Sequence, residues 1–443
     1  MKIHIRACTC LPCGSAPKKG LWIYPARMAN SSSRGSLRSE LRKCFSCDAQ
    51  GSMYTDSRIL ILVPNIFGHS GDAVNERQLI KSLCKNNGCL IISFIKIYEL
   101  FKLKKYLSYL RWELPSHVLL IPVAIPHPTT IFSLLVTVLA TPLIWIIDKF
   151  VNFKFIYIRS SNLSVGILAI KSLSEKTCVK LAETEDVDLR WRKILSLIYT
   201  LTDRIALAKS GIIGVPSPIL LKEIVERRRV LPSGKIVMIP AGVDKEKIEA
   251  IRRKAVQYSK NKGAYTIGFI GLLAWWQGVD LLVKAVAKLK KVLDKSLTLL
   301  IVGDGYERKK IELLCSELKI NCHITGFVSH KEALRHLLSS DILAVPSIKI
   351  STTESNIPIK VIEAWALGVP VITTRHKIYE YLGLRDGEHI MYCKPSPDDI
   401  ASKILVILTD EELRMKLSKN GPLLARKFYY EDIAFRLLGA TTK

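Results

Sequence analysis

The stretch 347–374 (SIKISTTESNIPIKVIEAWALGVPVITT) holds the residues best suited to chemistry. A strand ends at Pro346-Ser347, a polar loop follows, and a helix opens at Pro358, whose missing N–H costs nothing in a first turn. The free N–H groups of that turn, with Lys360 beside them, make an anion site suited to a diphosphate. Glu363 lies further along the same helix, where a carboxylate accepts hydrogen bonds from a ribose diol. A negative charge there weakens a site for phosphate alone, so it favours a ligand with hydroxyls beside its phosphates. No side chain stands out as a covalent nucleophile.

Two other clusters compete for attention. Cys10-x-x-Cys13 and Cys44-x-x-Cys47 have the paired spacing of a zinc ribbon, but the stretch between them is longer than usual and has little strand pattern. Asp186-x-Asp188 imitates a metal-binding pair, although the start of a surface helix is the commoner source of such a spacing. Residues 1–52 are otherwise rich in Ser, Arg and Lys without apolar periodicity, and read as a basic, Cys-containing extension, disordered or not translated. No apolar stretch of a secretory signal follows the first basic residues. The six cysteines beyond that extension are scattered singly, and Cys84 and Cys315, inside apolar segments, read as reduced core thiols.

The elements that must position these groups repeat one pattern twice. Arg58 to Pro64 is an apolar run of strand length, followed by the loop Gly68 to Gly71, a helix with Val74, Leu79, Ile80 and Leu83 on one face, and the strand Cys89 to Phe94. Further strands are expected at 155–159 and 235–239. From Tyr265 the order restarts: strand, loop Gly271 to Gly278, helix from Val279 to about Leu293, strand Leu297 to Val302, then alternating helices and strands to Thr373. Such alternation predicts an α/β fold with parallel sheets covered on both faces. Two doubly wound units then face one another, and ligands belong in the cleft beyond the carboxyl ends of their strands.

Composition agrees with a folded chain. Of 443 residues 49% are apolar and 24% charged, which excludes disorder, collagen and coiled coil as descriptions of the whole. Lys and Arg number 66 against 39 Asp and Glu, a net charge of +27, so a polyanionic neighbour is expected: nucleic acid, an anionic membrane or phosphorylated substrates. The segment 114–147 contains no charged residue, and its part of helix length, 129–147, is about 28 Å long. It reads as a buried helix, one dipping into a single leaflet, or a span.

The ordered series Pro346-Ser347, Pro358, Glu363 and Ala364-Trp-Ala-Leu-Gly368-Val-Pro-Val-Ile372 resembles family 4 of the retaining glycosyltransferases, which have the GT-B fold. The likeness extends to the Gly271 loop with Gly278-Val-Asp280, to Val302-Gly-Asp-Gly305, to Gly326-Phe327 and to Ile239-Pro-Ala-Gly-Val-Asp244. It implies a Rossmann-like acceptor domain over 53–250, a nucleotide-sugar domain over 251–425, and a final helix, 426–443, packing back on the first. It also implies transfer of a hexose-type sugar from a nucleotide-diphosphate donor to a lipid-linked or polysaccharide acceptor. The site would be cytoplasmic, peripheral or monotopic at an anionic membrane surface, without a required metal or nucleic acid.

By the same resemblance Glu363 holds the donor ribose, Ile359 and Lys360 take the diphosphate, Phe327 and Val328 meet the base, and Gly68 to Gly71 face the donor across the cleft. Arg159, Glu183 and Glu185 are acceptor-side candidates. The family's diphosphate loop has an Arg after its first glycine and a Lys before its second; here, around Gly271, those places hold Leu272 and Gln277, and Lys360 is expected to supply the missing charge. The family's first Glu falls on Ser355, with Glu354 one residue early and Asn356 one late, so selection of the sugar is expected from Glu354, Ser355 or Asn356. Two alternatives follow: a catalytically weak GT-B scaffold, suggested by Leu272, Gln277 and Ser355, and a basic zinc- or nucleic-acid-binding protein, suggested by the paired cysteines.

Overall fold

A computed structural model describes residues 57–64, 66–67, 71–103, 114–115, 117–127, 129–181, 192–253 and 263–440. The cysteine pairs before residue 50, Gly68, Glu183, Glu185, Asp186 and Asp188 lie outside those residues. The first sheet contains β1 (Arg58–Val63), β2 (Gly88–Lys96), β3 (Leu119–Ile125), β4 (Phe155–Arg159), β5 (Thr177–Lys180), β6 (Ile212–Val215) and β7 (Lys235–Met238), in the order β3-β2-β1-β4-β5-β6-β7. The second contains β8 (Ala264–Ile270), β9 (Ser296–Val302), β10 (Asn321–Ile324), β11 (Ile342–Val345), β12 (Val371–Thr374) and β13 (Met391–Cys393), in the order β10-β9-β8-β11-β12-β13. Both sheets are parallel throughout. Their central strands are continuous apolar runs because helices cover both faces; Ile59, Leu60, Ile61, Leu62 and Val63 of β1 are all buried.

The helices that bear on the site are α1 (Gly71–Leu83), α2 (Thr129–Val151), α3 (Arg192–Lys209), α4 (His330–Ser339), α5 (Ile359–Leu367) and α6 (Tyr430–Gly439). The last of these sends Tyr430, Ile433, Ala434 and Leu437 into the core of the first unit, and the Tyr430 hydroxyl bonds Asn75 of α1. Lys81 of α1 pairs with Asp244 at 2.5 Å and Lys85 with Glu246 at 2.7 Å, so the connection after β7 is fastened to α1 by charge as well.

Three local expectations need correction. Cys84 is not a reduced thiol: it forms a disulfide with Cys89, because Cys84 begins the turn after α1 and Cys89 is the second residue of β2, leaving their Cα atoms 5.7 Å apart. Cys315 does remain a buried free thiol. Pro358 precedes the helix instead of opening it: its backbone is extended (φ −63°, ψ 135°), and α5 begins at Ile359. The charge-free segment is divided between edge strand β3, where Pro122 sits, and α2, which continues four residues past Ile147 to Val151.

Candidate active site

In each sheet the strand order reverses once, between β1 and β4 in the first unit and between β8 and β11 in the second, and a crevice opens at such a reversal. The two crevices face one another. A Cβ built on Gly71, at the start of α1, would sit 3.8 Å from Ile359 Cγ2 at the start of α5. Gly71 and Ile359 are therefore brought together from opposite units.

The loop after β8 wraps the Lys360 side chain. Lys360 is buried; its ammonium lies 4.4 Å from the centre of the Phe269 ring and donates to Gln277 Oε1 at 2.7 Å. Gly271 is required at its position, since a Cβ there would lie 2.9 Å from Lys360 Nζ and its φ of 136° strains other residues. Gly278 closes the loop with φ 68° and packs under the Pro346 carbonyl, which a Cβ would meet at 2.2 Å. Burial pulls the Lys360 pKa down to about 7, with Glu363 working to raise it. The cation absent at Leu272 and Gln277 thus enters the same loop from α5. Leu272 itself is 43% exposed.

Glu363 lies one turn beyond Lys360 and is also buried. Its Oε1 is 2.5 Å from His330 Nε2, and His330 Nδ1 is 2.8 Å from Lys247 Nζ. His330 opens α4, just after the Gly326-Phe327 turn, and its role was invisible in sequence because its partners lie 33 and 83 residues away. The gap beside Glu363, lined by Gln78, His330, Ile359 and Tyr430 among others, has a volume of about 10 Å³. That admits about one water, so the units are closed on each other here.

The residues before α5 are arranged differently from expectation. Ser355 is fully buried with its hydroxyl donating to the Ser351 carbonyl at 2.8 Å, so it presents nothing to a ligand. Glu354 accepts from His376 Nδ1 at 3.0 Å, while His376 Nε2 lies 2.8 Å from Ser347 Oγ, tying the loop after β11 to the end of β12. Burial lowers the His376 pKa although Glu354 opposes it. Asn356 Oδ1 is buried without a hydrogen-bond partner, which leaves it, among these three, as the group with unused capacity. Phe327 is 68% exposed and Val328 half-buried beside it.

In the first unit a charged cluster closes the reversal point. Glu76 of α1 accepts from Arg159 at 2.6 Å and from the Tyr157 hydroxyl at 2.9 Å, and pairs with Lys180. Burial alone would raise the Glu76 carboxyl, but the two cations hold it at about 2. Next to Arg159 a pocket of about 160 Å³ opens at the carboxyl ends of the strands. Its polar lining includes Thr130, Ser133, Ser161, Asn162, Tyr199 and Asp203. Burial raises the Asp203 pKa, against hydrogen bonds from Ser161 and Arg228. Hydroxyls, one amide and a carboxyl converging on one pocket suit a polyol. Among the described residues no group of three His, Cys, Asp or Glu is placed to hold a metal ion.

Comparison with known proteins bears on this geometry. Residues 250–423 match the family described as glycosyl transferases group 1. The chain is 26% identical over 209 residues to an uncharacterized glycosyltransferase of Methanocaldococcus jannaschii, covering 45% of this chain and 56% of that one. It is 29% identical over 146 residues to the lipopolysaccharide core biosynthesis glycosyltransferase LpsE of Rhizobium meliloti, covering 33% and 40%. The chain thus spans about half the length of the curated relatives it matches. Among solved structures, Anabaena HepE in complex with UDP and glucose superposes with a TM-score of 0.59 at 15% identity, covering 86% of this chain and 97% of that one. The fold is the GT-B arrangement of two Rossmann-like units.

Proposed function

From the premise that the second unit is a glycosyl transferases group 1 domain in a GT-B fold, we propose that the protein is a retaining glycosyltransferase. It moves a hexose from a nucleoside diphosphate to a lipid-linked or polysaccharide acceptor. The observation that carries this reading is Lys360, a buried cation at the start of α5 with Glu363 one turn on. Together they suit a diphosphate joined to a pentose.

In this reading Lys360 and the first N–H groups of α5 hold the diphosphate, Glu363 accepts from the ribose hydroxyls, and Phe327 with Val328 flanks the base. Gly271 lets the loop approach the phosphates, and Gly71 borders them from the first unit. Asn356, with its unpartnered side-chain oxygen, and Glu354 two residues before it are assigned to the sugar. The acceptor hydroxyl enters from the pocket beside Arg159 and attacks the anomeric carbon on the face from which the diphosphate leaves. The carbon–oxygen bond to phosphate breaks, its electron pair stays on the diphosphate, and the acceptor proton passes to that departing oxygen. Lys360 and the helix terminus stabilise the growing negative charge. The reading invokes no metal and no side-chain nucleophile. Entry of the nucleoside requires the two units to part, given the narrow gap beside Glu363.

The test is a thermal-shift screen of nucleoside diphosphates and nucleotide sugars, followed by mass spectrometry of membrane extracts incubated with the best donor. A shift with one base and a new glycosylated product support the reading; no shift with any nucleotide rejects it. A second reading, a GT-B scaffold without turnover, is favoured by Leu272, Gln277 and buried Ser355. It predicts nucleotide binding with no product.

A further inference from the structure

Helix α2 is built inside out. Its polar side chains Thr130, Ser133, Thr137, Thr141 and Asp148 recur at helical spacing and are all buried against the protein. The opposite stripe is apolar and faces outward: Leu139 is 79% exposed, Leu143 58%, Leu135 50% and Ile146 46%. A surface helix in water has the reverse polarity, and a continuous apolar strip of this kind marks an interaction surface.

Three fastenings keep the polar stripe on the protein. Near the N-terminal end Thr130 Oγ1 lies 3.1 Å from the Tyr199 hydroxyl of α3, and Asn162 Nδ2 donates to Ser133 Oγ at 2.9 Å. In the middle Gly166 approaches so closely that a Cβ there would lie 2.1 Å from Thr141 Oγ1. Near the C-terminal end Asp148 accepts from Lys176 at 2.6 Å and from the Phe153 N–H at 3.0 Å. The 23 residues of α2 are long enough to cross a bilayer, at roughly 34 Å, but crossing would strip every one of these partners. Held lengthwise, the helix meets a bilayer only side-on.

The chemistry at its edge suits lipid headgroups in preference to another protein. Lys149 lies 5.3 Å above the Trp145 ring, one turn away on the outward side. Lys96 likewise lies 5.5 Å above Tyr98, which is 59% exposed, in the turn that contacts β3 before α2. An aromatic ring with a cation at its rim is the usual occupant of a headgroup layer. The net charge of +27 draws such a surface to anionic lipid. The first turns of α2 also supply Thr129, Thr130 and Ser133 to the pocket beside Arg159.

We propose that the outer face of α2 is a monotopic docking surface that lies in one leaflet of an anionic bilayer, with Trp145 and Lys149 at headgroup depth, and that it holds the acceptor pocket at the lipid surface. The placement of the pocket rests on the acceptor reading above; docking itself does not.

Co-sedimentation of the full chain with phosphatidylglycerol-containing vesicles, and with phosphatidylcholine vesicles alone, tests it. The parent protein should pellet with the anionic vesicles, and Leu139→Glu/Leu143→Glu should lose roughly tenfold or more in partitioning. Lys149→Glu should weaken binding to the anionic vesicles only. Leu139→Ser/Leu143→Ser, a milder change, guards against misfolding, and unchanged thermal melting should accompany each loss. Equal pelleting of parent and variants, or no binding by the parent, overturns the proposal. So does a dimer in lipid-free solution that Leu139→Glu/Leu143→Glu dissolves, since the occupant would then be a second copy. Vesicle binding without any nucleotide-induced shift leaves docking intact and removes the donor reading.

Discussion

The Lys360 ammonium donates to the Gln277 side-chain oxygen at 2.7 Å, although the two residues lie 83 positions apart, one at the start of α5 and the other in the loop after β8. The relationship accounts for a substitution that looks damaging in sequence. The loop around Gly271 carries Leu272 and Gln277 where the sequence resemblance leads one to expect cations, yet a cation occupies it, delivered from the start of α5 across the crevice. Gln277 is then a neutral partner for that cation, where a second lysine would repel it.

Lys360→Ala and Gln277→Ala should therefore behave very differently. Removing the ammonium would remove the charged hydrogen bond proposed for a bound diphosphate, worth about 2–3 kcal/mol, so nucleotide affinity should fall by roughly 30- to 150-fold. Removing the amide leaves the cation in place, and affinity should change by no more than about threefold. Titration calorimetry with a nucleoside diphosphate decides. Comparable losses in both variants would mean that the loop, and not the ammonium, binds the phosphates.

The same ammonium gives binding a pH dependence. Its pKa near 7 means that in the unliganded protein it is about half charged at neutrality, and a diphosphate favours the charged form. Nucleotide binding should take up protons between pH 7 and 8, and affinity should decline as pH rises through that range. Calorimetry in buffers of different ionisation enthalpy measures the uptake. Stability runs the other way. The folded value lies below the ordinary lysine value of 10.5, so between the two the unfolded chain binds more protons and the cost of burying Lys360 shrinks as pH rises. Lys360→Met should raise the unliganded melting temperature at pH 6, with the gain vanishing toward pH 10.

Glu363 offers a test that separates ribose from phosphate. Glu363→Gln keeps a polar side chain beside His330, now 2.5 Å from the carboxylate, but weakens acceptance from a diol. The donor KM should rise about tenfold with kcat little changed, as for binding lost equally from ground and transition states. Pyrophosphate affinity should stay as in the parent. Glu363→Ala also leaves His330 Nε2 without its carboxylate partner, with only Lys247 on the other ring nitrogen, so stability should fall by about 1–3 kcal/mol and the unliganded melting temperature with it. Parallel losses of pyrophosphate and nucleotide affinity would reject the ribose role.

Much of the second unit was legible because its signals are local. Apolar runs such as Ile342 to Val345 form strands over those residues, and Gly368 takes the left-handed conformation expected past a helix. Lys360 and Glu363 were legible for the same reason, being three residues apart on one helix. What escaped was chemistry assembled from distant segments: His330 on Glu363, His376 between Glu354 and Ser347, and Lys180 with Arg159 on Glu76. Spacing carries no trace of such pairs. The short strands Thr177–Lys180 and Ile212–Val215 were likewise silent, since four buried residues have no period to read.

The Glu76 cluster yields a prediction about stability. Glu76 is 2% exposed, Lys180 equally so, and Arg159 only slightly more open, so three charges share a site from which water is largely excluded. Such a site is tolerable only while the carboxylate is charged, because Glu76 is the buried anion facing both cations, and exposed Asp72 reaches only Arg159, at 3.2 Å. Its pKa of about 2 lies below the ordinary value of 4.5, so the folded chain binds fewer protons than the unfolded one in that interval. The stabilisation is complete above pH 4.5 and is lost as pH falls through about 2. Glu76→Gln keeps the shape and removes the charge, and should cost about 3–5 kcal/mol at pH 7. Adding Lys180→Met to it should restore part of the loss, because the stranded cation is then gone, whereas Lys180→Met alone should destabilise. Denaturant unfolding of the three variants measures the coupling. Strict additivity would mean that Lys180 and Glu76 do not depend on one another. The cluster would then be a set of separately solvated charges.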